Sequence, residues 1–276
     1  YAGIFVFLYG KVYDLNLTNI DMTGNDNSAT SIAILALSGS VIESCNVTGK
    51  VKGVGNVGGL VAVSFGTADS GLIQNSSFVG SVTKEGSAVA TFVGGFVGQQ
   101  NRGIIRDCYY RGIVSKVDQS GGGFVGLCKG GTICRSYTVS SFNSTGGPGF
   151  KHFCGDNDGG TIEASNYYDA EVSNAASDDS NAIAITTTAL AKQTASYPQF
   201  DFTDVWSITA GSTYPYLTCG SYVAVACPIG ISSSSSSSSS SSVSSVSSAS
   251  SASSSSVSSS SVSSSSASSS SVSSSG

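Results

Sequence analysis

The chain has 276 residues, a formal net charge of −5 and 11% charged residues, less than half the roughly 25% of a typical soluble domain. With no cluster of Lys and Arg it lacks the footprint of a nucleic-acid binder, and no apolar run approaches the ~18 residues of a membrane span. Of its 34 glycines, 33 precede residue 231, whereas residues 231–276 hold 36 serines and no charged, aromatic or proline residue. The first part is poor in helix formers and rich in Gly, Ser, Thr and Val, which predicts an all-β chain with many turns.

The opening run Ile4-Phe5-Val6-Phe7-Leu8-Tyr9 is too short for a membrane helix and has no basic flank. With Tyr first and no signal peptide, the chain reads as a mature product or a piece of something larger. From there a repeat governs the sequence. Ile42, Ile73, Ile105, Ile133 and Ile162 follow one another at 31, 32, 28 and 29 residues. Three residues after each comes a small one: Cys45, Ser76, Cys108, Ser136, Ser165. At plus five stand Val47, Phe78, Tyr110, Thr138 and Tyr167. At plus seven stand Gly49, Gly80 and Gly112, then Ser140 and Asp169. At plus nine come Val51, Val82, Val114 and Phe142, with Glu171 as a departure. Upstream, Gly71, Gly103, Gly131 and Gly160 precede the anchor by two residues, and Phe96 and Phe124 by nine.

A unit of about 28 residues cannot bury its own apolar face, so successive units must stack, Ile on Ile and Phe on Phe. Strands of adjacent coils would hydrogen-bond about 4.8 Å apart. A small Cys or Ser suits a tight interior corner, and the recurring Gly supplies positive φ or close backbone approach. The expected fold is a β-solenoid of about five to six coils over residues 1–185.

The segment Gly94-Gly95-Phe96-Val97-Gly98, followed by Gly103-Ile104-Ile105-Arg106-Asp107-Cys108-Tyr109-Tyr110-Arg111-Gly112-Ile113-Val114, resembles the GLUG repeat. That motif has a Gly-Leu-any-Gly core and then a strand of the form Ile-x-x-Cys-x-x-x-Gly-x-Val. Gly3 to Leu17 resembles the first coil of such arrays, and Phe200 to Leu217 the segment that closes them. Two places depart from the pattern: Gly146-Gly147-Pro148-Gly149-Phe150 shifts the apolar slot, and the first copy lacks the double Gly. The resemblance implies a right-handed parallel β-helix in secreted or surface proteins of adhesin type, or an accessory region beside a protease. It supplies no catalytic residue.

After Ala170 the repeat breaks. One short helix is expected at Thr187–Gln193, and residues 186–230 are expected to form a C-terminal cap over the open strand edges, with Trp206 packed on the last coil. Residues 231–276 cannot bury enough apolar surface to offset ordering, and read as a disordered spacer or O-glycosylated stalk.

Chemistry-bearing residues are sparse. The seven cysteines form neither a Cys-x-x-Cys pair nor a Cys/His cluster, which argues against zinc. Cys45 and Cys108 lie two coils apart and read as buried free thiols. Cys219 and Cys227 flank a short loop and are the disulfide candidates, while pairing among Cys128, Cys134 and Cys154 stays open. Asp156 and Asp158 alternate oxygen donors in the manner of a calcium loop. They also occupy a turn of the repeat, where Asp and Asn are at home, so no metal and no cofactor is expected. His152, the lone His, reads as a surface or slot-edge residue. Trp206 reads as half-buried in a strand, with a sugar platform as its functional alternative. Asn16, Asn46, Asn75 and Asn143 begin N-glycosylation sequons, which matter in a secreted eukaryotic chain.

These features lead to the expectation of a non-catalytic extracellular or cell-surface module, monomeric within a larger chain. Its expected partners are surface glycans or host cell-surface proteins, met through many weak contacts. Neither nucleic-acid binding nor membrane insertion is expected. Two alternatives remain: an accessory or spacer region of a larger exported protease, and a polysaccharide-active β-helix enzyme. The enzyme would show a groove with two or three carboxylates and a basic residue on adjacent coils.

Overall fold

The computed structural model describes residues 2–24, 29–30, 32–65, 71–86, 91–116, 121–144, 150–173 and 180–218. The chain winds repeatedly through four faces. Face B stacks Phe5–Leu8, Ala33–Ala36, Val61–Ser64, Val97–Gln100, Val125–Cys128 and Cys154–Asn157. Face C stacks Lys11–Tyr13, Val41–Glu43, Leu72–Gln74, Ile104–Arg106, Thr132–Cys134 and Thr161–Ile162. Face D stacks Asn16–Gly24, Asn46–Gly53, Ser77–Lys84, Tyr109–Lys116, Tyr137–Ser144 and Tyr167–Asp169, and Ile183–Ile185 extends it to seven strands. Face A is short: Val57–Gly58, Val93–Gly94, Gly121–Gly122 and Phe150–Lys151. Neighbours on all four faces are consecutive passes of the chain, paired in parallel. This is a β-solenoid of six stacked coils.

The core is a set of rows. Ile42, Ile73, Ile105, Ile133 and Ile162 are Cα partners down face C and all are buried. Phe96 stacks on Phe124 and Phe124 on Phe153, each at 4.9 Å between centroids. Val51, Val82, Val114 and Phe142 form a third buried row on face D. Parallel in-register pairing puts like on like, so every rung repeats the packing solved by the rung below.

The repeated glycines answer to steric crowding. A Cβ on Gly94 would sit 2.0 Å from the Val97 carbonyl oxygen, and one on Gly95 would sit 2.2 Å from the Tyr110 ring. Gly80 and Gly112 combine φ of 154° with a Cβ position 1.8 Å from the carbonyl of the preceding coil. In the next coil Ser140 takes this slot. There Thr138 replaces the larger Tyr110, and the Thr138 and Ser140 hydroxyls both reach the Gly123 carbonyl at 3.1 Å. The turn from face C to face D also needs a left-handed residue, yet non-glycines supply it: Asp14, Ser44, Asn75, Asp107 and Arg135, with φ between 46° and 55°. Beside them the small residue at plus three closes the corner. Ser76 Oγ donates to the Gln74 carbonyl at 2.7 Å and accepts the Cys45 N–H at 3.1 Å; Ser136 does the same for Cys134 and Cys108.

Three expectations need correcting. The last coil carries one extra residue between faces C and D: Ile133 pairs with Ile162, but Tyr137 pairs with Tyr167. Tyr167 therefore joins the outward row of Tyr109 and Tyr137, and Tyr168 takes the plus-five slot. Second, the stretch near Thr187–Gln193 forms two 3-10 turns, Leu190–Lys192 and Thr194–Ser196. Third, Trp206 packs against Tyr137, Tyr109 and Phe200, on the outside of face D, not on the last coil. Three outward tyrosines on neighbouring strands form an apolar strip, and burying that strip beside Phe200 and Tyr197 fixes where the segment docks.

Candidate functional site

Two cavities border chemistry-bearing residues. The larger, about 430 Å³, opens on face B and is lined by Phe92, Gln99, Leu127, Lys129, Asp156, Asn157 and Asp158. Strand register assembles it from three coils, since Gln99, Leu127 and Asp156 are successive Cα partners. Just past these partners, across the same coil boundaries, the Lys129 N–H donates to the Gln100 carbonyl at 2.7 Å and the Asp158 N–H to that of Cys128 at 2.8 Å. Gln99 is held at both ends: its Oε1 accepts from Asn56 Nδ2 at 3.1 Å, and its Nε2 donates to Asn101 Oδ1 at 2.7 Å. Asn56 Oδ1 in turn accepts the Phe92 N–H at 2.8 Å.

The two calcium candidates, Asp156 and Asp158, thus line one cavity. Asn157 Oδ1 is occupied by the Gly160 N–H at 2.9 Å, and the cationic residue Lys129 belongs to the same lining. Among the described residues no group of three or more His, Cys, Asp or Glu comes together as a metal site. A hard dication takes six to eight oxygens, so this donor set does not fit it.

The second cavity, about 280 Å³, lies between the C–D corner and the C-terminal segment, and its lining includes Asp107, Arg135, Phe200 and Asp201. Arg135 grips Asp107 bidentately, Nε to Oδ1 at 2.9 Å and Nη2 to Oδ2 at 2.7 Å, and both side chains are buried. Burial pushes the nearby Glu163 carboxyl up, against opposing contributions from Ser165 and Arg135. Sequence reasoning missed the pair, although both residues stand two after the Ile anchor. With both Asp107 oxygens bound, the pair braces a left-handed corner; leaving either charge alone there would be costly.

The remaining candidates separate. Asn16 and Asn46 lie on the outer side of face D, joined to each other at 3.3 Å and through Asn46 Oδ1 to Ser77 at 2.7 Å. Asn143 is exposed. Asn75 is 8% exposed and left-handed, so the folded corner closes that sequon to a glycan. Cys219 and Cys227 lie outside the described residues. Cys45, Cys108, Cys128 and Cys154 are buried and form no disulfide, whereas Cys134 is disulfide-bonded. Burial pushes the Cys128 thiol up to about 12 and raises that of Cys108, which makes poor nucleophiles of both. His152 stacks on Tyr168 at 4.5 Å, with Nδ1 2.6 Å from Ser173 Oγ. Trp206, 1% exposed, offers no platform to a sugar. Among the described residues, no helix is long and apolar enough to cross a membrane.

No family model and no curated protein matches the chain. Solved structures do. One is described as "IgA1 Protease", with a TM-score of 0.53 and 23% identity; the match covers 67% of this chain and 16% of that one. Another, described as a "putative immunoglobulin A1 protease from Bacteroides ovatus", has a TM-score of 0.60 and 19% identity, over 79% of this chain and 71% of that one. Both likenesses concern the fold. The chain spans about a sixth of the length of the first.

Proposed function

We propose that the chain is a non-catalytic β-solenoid module of an exported, secreted or surface-attached protein. In this reading it serves as an accessory region that contacts large partners along its faces. One observation carries it: the region of like fold in a chain described as an IgA1 protease covers 16% of that chain, so this fold occurs as part of a much longer protein. The GLUG resemblance supports the same reading and adds adhesion, with surface glycans or host cell-surface proteins as partners. To test it, the full chain is incubated with IgA1, with epithelial cells and with polysaccharides. Binding without cleavage is expected. Cleavage of any of these by the chain alone overturns the reading.

A second reading has one observation in its favour. Asp107 and Arg135, on adjacent coils, line one cavity with Asp201 of the C-terminal segment, which brings two carboxylates and a basic residue together. Incubation of the parent chain with polysaccharides decides it: cleavage would establish the enzyme, and no cleavage is the expected result.

A further inference from the structure

The face B cavity holds charge that the fold does not use. Among the described residues the ion pairs are Lys52–Glu85 and Arg135–Asp107. Lys129, Asp156 and Asp158 therefore line one cavity without pairing. A lysine only donates hydrogen bonds and an ionised carboxylate only accepts them. A cationic ligand would meet Lys129 and an anionic one would meet two carboxylates. A hydroxyl donates and accepts at once, so a neutral polyhydroxyl compound satisfies both signs. Phe92 and buried Leu127 add an apolar wall for a C–H face, and Gln99 is already fixed by Asn56 and Asn101. The volume, about 430 Å³, lies in the usual range for small-ligand sites.

We propose that this cavity binds a neutral saccharide unit of a surface glycan, with Asp156 and Asp158 accepting from ring hydroxyls, Lys129 donating to them, and Phe92 packing on the ring. This deepens the binding role proposed above and rests on it. Binding is direct and needs no metal.

The test applies the full chain to a printed array of neutral, sialylated and amino-sugar oligosaccharides, with and without EDTA. Neutral structures bind, EDTA leaves them bound, and Asp156→Ala/Asp158→Ala lowers the signal at least tenfold. These side chains are exposed, so the variant keeps the circular dichroism and thermal unfolding of the parent. A Lys129→Met variant, equally folded, also weakens binding. Preference for charged glycans, loss of signal in EDTA, or unchanged binding by the double variant overturns the site. Silence on the array with continued binding to cells or IgA1 overturns the site and leaves the accessory role standing; silence on all of them overturns both.

Discussion

Inside the coils aromatic rings lie nearly flat on one another, with interplanar angles of 12° for Phe96–Phe124 and 18° for Phe124–Phe153. On the outer flank of face D they meet at every inclination, from 18° for Phe200–Trp206 through 56° for Tyr137–Trp206 to 80° for Tyr167–Phe200. Translation explains the difference. A parallel in-register strand pair carries each side chain to the next coil in the same orientation, so rings inside can only stack. The flanking segment comes from a stretch with no repeat, and its rings are free to take the edge-to-face geometry that aromatic pairs also favour. Packing in one region is inherited from rung to rung, and in the other it is specific to each contact.

The first way to break this contrast is at the tightest inherited contact. Gly80→Ala places a Cβ 1.8 Å from the Gly49 oxygen and is expected to cost more than ~4 kcal/mol. Gly10→Ala, with nothing within 4 Å of its Cβ, should stay within about 0.5 kcal/mol. Denaturant unfolding of both compares them directly. Next comes a matched pair of aromatic deletions. Phe124→Ala should cost about 3–5 kcal/mol and lower the whole unfolding transition, because it breaks a row. Trp206→Ala removes a similar volume, yet should act locally. Hydrogen exchange should rise over residues 190–217 while face C stays protected.

Alkali sharpens the contrast further. Burial raises the hydroxyl pKa of Tyr110 inside and of Tyr137 on the flank. A raised folded pKa contributes stability that is complete below the unfolded value near 10 and is lost above it. Absorbance at 295 nm should therefore rise together with loss of β-sheet dichroism, not before it. The smallest effect belongs to Glu163, whose carboxyl is raised chiefly by burial. Its contribution is present at acid pH and lost as pH climbs through the raised value. Glu163→Gln should flatten that loss, gaining under about 0.5 kcal/mol at pH 7 after solvent screening.

The rows were readable because a side chain recurring every 28–32 residues has the same neighbours in every copy. Ile42 to Ile162 and the Phe96–Phe124 pair needed nothing else. The left-handed corner was not readable from glycine, since Asp107 and Arg135 adopt it and brace each other; comparing the plus-two slot across copies would have exposed that pair. Tyr167 was placed one row out because a single extra residue leaves composition and period almost unchanged. The docking of residues 186–218 on face D left one trace, the outward Tyr109 and Tyr137 on adjacent strands. No periodicity says which outward row is covered. The face B cavity was legible only as a turn, because Lys129 and Asp158 belong to different copies.

The hydrogen bonding between coils also bears on how such a chain changes over generations. Each rung presents upward the same backbone register and the same Ile, Phe and Val rows that it receives from below. Excision or duplication of one whole unit by unequal recombination therefore joins surfaces that already match. A shift of a few residues within a strand instead moves that strand's side chains out of their rows, whereas unit lengths of 28 to 32 residues leave the Ile row intact. Reach is consequently inherited as an integer number of rungs.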